Sequence, residues 1–247
     1  RWAQFNENGH QEIRSVYTII GPLLRSWFHF VSDRQIDRGI RNLSDYKALY
    51  VPLAEFVRGS VFDKIEAYVK AGGTVVCTDT NAFNWDINGD SLVSRWQGLS
   101  GVRRSGERKS DLSARTVDSS FLGINKHLSF DFPVSGWNMT PVDDKAEVLA
   151  TFSDGSPAII VHHYGKGKVV VFAADPFGLL SDSVTPLVFD ESPMVTFFGA
   201  IQKAVGARMG QDIWRFMLPK SNVIQPDKRR CLTGNYVFDT NAPIRKA

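Results

Sequence analysis

The residues that could do chemistry form a small set of acidic, amide and indole side chains that follow predicted strands. Indole rings stack on the CH faces of sugars, while aspartate and asparagine bond to hydroxyl groups. In open α/β folds such residues meet at the edge where parallel strands end, and ligands usually bind there. For each tryptophan alone, packing in the interior is the competing interpretation. The candidate ligand-binding residues are Asp79, Asn81, Trp85, Trp137 and Asp175.

Cys77 and the adjacent His162 and His163 are the side chains that could supply a nucleophile and a base. A cysteine nucleophile needs a sharp, exposed turn between a strand and a helix. Cys77 instead lies inside the apolar run at 74–78, without flanking glycines. The two histidines are neighbours in a strand, so they point to opposite faces, one buried and one towards solvent. The sequence therefore predicts no catalytic residue.

Two segments imitate ligand-binding loops. Residues 86–90 have oxygen-bearing side chains at alternate positions, as in a calcium loop, but the glycine is misplaced and Gln97 stands where a glutamate is needed. They are interpreted as an Asx-rich turn. Residues 165–168 resemble a phosphate loop but join two predicted strands, so they are interpreted as a hairpin turn. No metal and no cofactor is predicted.

Composition narrows the range of partners. The chain has 247 residues, 43% of them hydrophobic, and a net charge of only +3. The basic cluster at 103–109 lies among Ser, Gly and Asp and is interpreted as a solvated loop, not a nucleic-acid surface. No apolar stretch approaches the ~20 residues of a membrane span. Because the chain begins at Arg1, we expect it to be part of a longer protein, cytoplasmic or secreted.

The clearest structural unit is a strand, helix and strand within about thirty residues. Residues 46–51 form a β-rich run, and Ser60 is a plausible N-cap. Apolar residues then recur at helical spacing until a glycine pair ends the helix, and the strand at 74–78 follows. This pattern predicts a parallel pair of strands buried on both faces. The helical stripe is Val61, Ile65, Tyr68 and Val69, and the glycines are Gly72 and Gly73.

The remaining elements are arranged around this unit. A helix kinked at Gly21-Pro22 is predicted over 10–27, with a short strand at 28–31. Residues 81–145 are interpreted as long excursions at the strand ends, and tight turns join three strands at 148–152, 158–164 and 168–174. A last helix begins at Ser192-Pro193. The isolated strands at 213–219 and 231–238 could begin a β-sandwich.

Two groups of motifs resemble the β-galactosidase trimerisation domain. The first is Leu43–Pro52 together with the helix ending at Gly73 and the strand after it. The second is Gly155-Ser156-Pro157-Ala158 followed by the run Tyr164–Phe172. Together they cover about residues 40–80 and 147–180, in the order and spacing of that family. The family belongs to the class I glutamine-amidotransferase-like superfamily.

The resemblance implies a fold and a role. The implied fold class is α/β, a flavodoxin-like three-layer sandwich with a mostly parallel sheet at 1–210. A C-terminal extension at 211–247 follows. A first strand should precede the helix at 10–27, and Trp2–Phe5 could be its remnant. The implied role is a non-catalytic accessory or oligomerisation domain of a glycoside hydrolase. Its partners would be other domains of the parent chain, further copies of itself and a carbohydrate ligand. The alternatives are a sugar- or small-molecule-binding module, or a stand-alone hydrolase with its site at the carboxyl edge of the sheet.

Overall fold

The computed structural model describes residues 7–133, 135–176 and 193–209, together with two short strands beyond them. No helix in these residues is both long and apolar enough to cross a membrane. The helices are α1 (Glu7–Thr18), a π-helical turn (Ile19–Leu23), α2 (Asp33–Asp37), a 3-10 turn (Leu43–Asp45), α3 (Gly59–Ala71), α4 (Val93–Ser100) and α5 (Pro193–Ala204). The strands are β1 (Ala48–Val51), β2 (Phe56–Val57), β3 (Thr74–Cys77), β4 (Trp85–Asp86), β5 (Val102–Arg108), β6 (Ser113–Thr116), β7 (Ser129–Asp131), β8 (Gly136–Pro141), β9 (Ala146–Phe152), β10 (Pro157–Tyr164), β11 (Gly167–Phe172), β12 (Leu232–Thr233) and β13 (Tyr236–Val237).

The main sheet has seven strands in the order β1-β3-β11-β10-β9-β6-β7. Only the pairings β1/β3 and β3/β11 are parallel. The other four pairings are antiparallel. The fold is therefore α/β, but its sheet is mixed and the expectation of a mostly parallel sheet is not confirmed. The reason lies in the connections: β9, β10 and β11 are joined by turns at 153–156 and 165–166, which are too short for a parallel crossover.

The predicted strand–helix–strand unit is confirmed as β1, α3 and β3. All four predicted stripe residues of α3 are buried. The helix ends at Gly72, whose φ of 123° favours glycine. A Cβ at Gly73 would lie 2.2 Å from the Tyr68 ring, so β3 begins close against α3. The predicted cap is wrong: Arg58 precedes the first turn, and the Ser60 hydroxyl donates to Asp37 instead.

Helices cover both faces of the sheet. The Phe198 ring of α5 stacks on Phe172 of β11 at 5.7 Å and also approaches Tyr50 of β1. On the opposite face His162 of β10 meets the Leu99 carbonyl of α4. Phe83 links α4 to α3, because its ring contacts rings from both helices. This arrangement gives three layers and a continuous apolar core.

The structure corrects three other predictions. The helix predicted over 10–27 ends with the π-helical turn at Ile19–Leu23, which absorbs Gly21-Pro22, so Trp27 lies outside the helix and is 61% exposed. Residues 28–31 form no strand. The interval 81–145 is also more regular than expected: it holds α4, the antiparallel pair β5/β8 and the outer strands β6 and β7. Alternation in these short segments is too weak to predict them.

Some predictions fall outside the described residues. These are the strand at 213–219 and the remnant at Trp2–Phe5. Of the segment 231–238, only the short antiparallel pair β12/β13 is described. The predicted helix after Ser192-Pro193 is confirmed as α5, whose Met194, Phe197, Phe198 and Ile201 side chains are buried. The predicted division at residue 210 stays a prediction.

Candidate functional site

The carboxyl ends of β3 and β11 bring together two of the predicted aspartates. Asp175 is 7% exposed. Asp79 is half-buried and both of its carboxylate oxygens are engaged: Oδ2 accepts from the Ala54 N–H at 2.7 Å and Oδ1 from the Asn81 N–H at 2.8 Å. Burial raises the pKa of Asp79, while these two backbone donors oppose that rise. The predicted meeting of strand ends is therefore observed, but its polar atoms are largely paired within the chain.

Trp137 reaches the same edge through an unusually close backbone contact. Gly136 of β8 bridges Ala174, and the Trp137 N–H donates to the Ala173 carbonyl at 2.8 Å. A Cβ at Gly136 would lie only 1.9 Å from that carbonyl oxygen, so only glycine fits here. The indole Nε1 of Trp137 then donates to Asn81 Oδ1 at 3.2 Å. Asp79, Asn81 and Trp137 thus form one bonded chain beside Asp175.

Trp85 is not part of this chain. It lies in β4, where its backbone pairs with Phe56 of β2, and 40% of it is exposed. Among the described residues no hydrogen bond or ring contact joins Trp85 to Asp79, Asn81 or Trp137. Four of the five predicted site residues therefore meet, and the fifth lies on the small β2–β4 sheet.

Glu12 of α1 completes the cluster, and sequence reasoning missed it. Its side chain makes a hydrogen bond with Asp175. Burial, together with the neighbouring Asp175 and Asp79 carboxylates, raises the pKa of Glu12 to about 9. The available signal was a second helical stripe: Glu12, Ser15 and Ile19 recur at i, i+3 and i+7, and the last two are fully buried.

Arg104 and Cys77 border the carboxyl cluster. The Arg104 guanidinium donates to the carbonyls of Thr80 at 2.5 Å and Ala82 at 2.9 Å, which fixes the chain that carries Asn81. Cys77 is fully buried, and burial raises the pKa of its thiol well above the ordinary value. A nucleophilic cysteine requires the opposite shift. Cys77 is therefore a packing residue, in line with the missing elbow.

The basic cluster at 103–109 is not a solvated loop, and this prediction is wrong. Residues 102–108 form β5, so side chains alternate between the interior and solvent. Arg108 is only 8% exposed and bonds to Asn138 Oδ1 at 2.9 Å and Asp154 Oδ2 at 2.6 Å. Arg103 and Lys109 are exposed, as a solvated segment requires.

The other motifs behave as predicted. His162 is buried, with Nδ1 2.9 Å from the Leu99 carbonyl oxygen, while His163 is exposed. Asp86 Oδ1 accepts from the backbone N–H groups of Asn88 and Asp90, which is an Asx turn. Residues 165–166 form the hairpin turn between β10 and β11.

Within the described part of the chain, no group of three or more acidic, histidine or cysteine side chains could hold a metal ion.

A largely apolar cleft of about 1020 Å³ lies beside β1, which is an edge strand of the sheet that the described residues form. Its walls include Ile13 and Val16 of α1 and Tyr50 of β1. Four of the large apolar side chains that line the cleft are each about half exposed or more. One of them, Phe56 of β2, is the register partner of Trp85 in β4. We call these five residues the aromatic rim: Trp27, Phe30, Leu53, Phe56 and Trp85.

Comparisons with known proteins point to one family. The sequence profile of the β-galactosidase trimerisation domain matches residues 2–191. β-Galactosidase BglY from Alicyclobacillus acidocaldarius is 28% identical over 186 residues, which are 70% of this chain and 26% of BglY. The chain thus spans about a quarter of the length of this relative.

Solved structures agree on the fold. A β-galactosidase from Bacillus circulans sp. alkalophilus superposes with a TM-score of 0.60 at 15% identity, over 80% of this chain and 28% of that one. A ThuA-like protein from Bacteroides uniformis gives a TM-score of 0.60 at 16% identity, over 82% of this chain and 87% of its own. The profile match covers well over half of the sequence. The chain therefore belongs to the β-galactosidase trimerisation domain family.

Proposed function

We propose that this chain is a non-catalytic oligomerisation domain of a β-galactosidase-like glycoside hydrolase. In this proposal it assembles as a homotrimer and contacts other domains of its parent chain. The family description names trimerisation, and the β-galactosidases that it resembles are about four times as long as the matched region. The longer parent chain would carry out any hydrolysis of carbohydrate.

The observation that carries the proposal is the aromatic rim. Phe56 is 57% exposed and its register partner Trp85 is 40% exposed, so two large exposed side chains occupy paired positions on neighbouring strands. Leu53, at 49% exposure, extends the same surface towards the cleft. Aromatic residues are enriched at protein–protein interfaces, and contiguous exposed apolar surface on a monomer marks an interaction site. A second copy of the chain would cover it.

The carboxyl edge supports the non-catalytic part of the proposal. The Cys77 thiol is buried and its pKa is raised, which keeps it protonated. Asp79 uses both oxygens to hold the backbone of Ala54 and Asn81. A general base must reach a substrate proton, and this carboxylate is already committed to the chain's own N–H groups.

The fold supports a finer assignment. We infer a flavodoxin-like, class I glutamine-amidotransferase-like domain at 1–210, and a separate C-terminal extension at 211–247. The parallel trio β1-β3-β11 between helical layers and the similarity to the ThuA-like protein support this inference.

A double variant of the rim tests the assembly. Phe56→Ser with Trp85→Ser should dissociate the trimer into monomers, because it removes two large exposed rings from the interface. Sedimentation velocity at micromolar concentration would measure the mass. The matched control is Ile40→Ser with Val142→Ser, which removes exposed apolar residues outside the rim (63% and 43% exposed). An unchanged mass in the rim variant, or dissociation of the control as well, would show that the rim is not the interface.

A second candidate function is carbohydrate binding at the carboxyl edge. It is favoured because Asp79, Asn81 and Asp175 lie close to Trp137, whose indole is half-buried. However, the Asn81 Oδ1 and both Asp79 oxygens are already bonded within the chain. A sugar hydroxyl would have to displace these bonds, so the affinity should be weak, about millimolar.

Galactose titration tests this candidate. We expect a saturable change in tryptophan fluorescence with a Kd of about 1 mM or weaker. Trp137→Phe should abolish this fluorescence change. Trp85→Phe should leave it unchanged, because Trp85 lies on the separate β2–β4 sheet. A Kd in the micromolar range, or a signal that survives Trp137→Phe, would contradict this assignment of the site.

A further inference from the structure

Two carboxyl groups that bond to each other lie where α1 meets the sheet. Glu12 lies in α1, and Asp175 follows β11 at the carboxyl edge. Their side chains are hydrogen-bonded, although an ionised carboxylate has only acceptors. The bond therefore requires one proton shared between the two groups. The other Glu12 oxygen, Oε2, is buried without a hydrogen-bond partner among the described residues.

In the part of the chain that the structure describes, the groups around this pair give an ionised Glu12 little compensation. Asp79, after β3, adds a second negative charge close by. Cys77 of β3 and Tyr50 of β1 are neutral, because burial raises the pKa of each. Among the described residues, Arg104 of β5 is the cation that borders the cluster, but its guanidinium donates to the Thr80 and Ala82 carbonyls. Loss of the shared proton would therefore leave like charges face to face.

The same helix forms one wall of the apolar cleft. Ile13 and Val16 of α1 line it, as does Ile20 in the π-helical turn that continues α1. Ser15, one turn after Glu12, is 2% exposed, so this side of α1 is closed against the rest of the chain. Movement of α1 away from the sheet edge would expose Ser15 and open the cleft to solvent.

We propose that the proton shared by Glu12 and Asp175 is a pH-sensitive latch. While the proton is held, α1 stays closed over the carboxyl edge; when it is lost, α1 is released and the apolar cleft opens. The latch makes exposure of the cleft and of the adjoining rim a function of pH.

The direction and range follow from proton linkage. The pKa of Glu12 is about 9 in the closed state, against an ordinary 4.5 once the side chain reaches water. The closed state therefore binds the proton more tightly and is favoured fully below pH 4.5. Between these two values the opening equilibrium should rise by about tenfold per pH unit, and above pH 9 it should level off.

Hydrogen exchange of α1 tests the latch directly. Protection factors of the amides at 12–18, corrected for intrinsic exchange rates, are measured from pH 5 to 10 on the full chain. In the wild type they should fall by up to about tenfold per pH unit until pH 9, while those of α5 stay constant. Glu12→Gln keeps a hydrogen-bond donor to Asp175 but cannot ionise. It should flatten the α1 profile and raise protection strongly at pH 8, but by no more than about fivefold at pH 5.

Two further variants make the outcome decisive. Glu55→Gln removes the same charge from an exposed position and should leave the wild-type pH profile unchanged. Asp175→Asn removes the neighbouring charge but leaves Glu12 buried, and burial is the larger cause of its raised pKa, so the α1 profile should level off at a lower pH than in the wild type. A wild-type profile without pH dependence would overturn the proposal. So would a Glu12→Gln profile as steep as that of the wild type.

Discussion

Replacement of Gly136 by alanine is expected to lower the free energy of unfolding by about 3 kcal/mol, an effect at the upper end of overpacking. The added Cβ would lie 1.9 Å from the Ala173 oxygen and 2.6 Å from the Ala174 Cα, both backbone atoms. Because neither can rotate away, β8 must move off the end of β11. The indole of Trp137 should then lose its bond to Asn81. Denaturant unfolding, followed by tryptophan fluorescence, would measure both changes.

Gly98→Ala is the matched control for this substitution. Gly98 is exposed in α4, and a Cβ there would meet no atom within 4 Å. Alanine is the better helix former, so this variant should gain up to about 1 kcal/mol. Equal stability of the two variants would mean that β8 does not cross β11 as closely as described.

The second large effect is expected for Phe172→Ala, which should cost about 3 to 5 kcal/mol. Phe172 is 1% exposed and lies where the α5 layer meets the sheet. Its ring contacts those of Phe198 at 5.7 Å, Phe197 at 5.9 Å and Phe132 at 6.4 Å. Truncation leaves a cavity among side chains from three elements, and these cannot all move to fill it. Equilibrium unfolding in urea would give the difference.

Phe56→Ala separates folding from assembly. The same truncation at a 57% exposed site removes little buried surface, so the free energy of unfolding of the monomer should change by less than about 1 kcal/mol. It should nevertheless weaken association, because Phe56 belongs to the aromatic rim. A large loss of monomer stability in Phe56→Ala would show that this side chain packs in the core.

The parts of the fold that were predictable from sequence are those with strong periodicity. The stripe of α3, the glycine pair after it and the apolar strands β3, β10 and β11 each carry a local signal that agrees with their position. The short turns between β9, β10 and β11 also indicate antiparallel pairing, whereas the family resemblance implies a mostly parallel sheet. Strand β5 is largely exposed and has an irregularity between Ser105 and Glu107, and β6 has only four residues, so the sequence shows no clear alternation in either.

The sequence predicts only those site residues whose positions follow from the order of the strands in the sheet. Asp79 and Asp175 meet because β3 and β11 are parallel neighbours. Trp85 does not join them because its small sheet with β2 is a separate unit. Glu12 comes from a helix distant in sequence, and nothing local shows that its acid group faces Asp175. Side-chain pairs between distant segments depend on tertiary packing, and the periodicity of apolar residues within one segment does not predict such pairs.

The most direct test of the central claim is the mass of the unaltered chain in solution. Sedimentation equilibrium over a range of concentrations would give it without any substitution. The proposed trimer predicts a species of three times the 27.6 kDa of one chain, with an association that weakens when the rim is altered. A mass of one chain at every concentration would contradict the account, whatever the rim variants did.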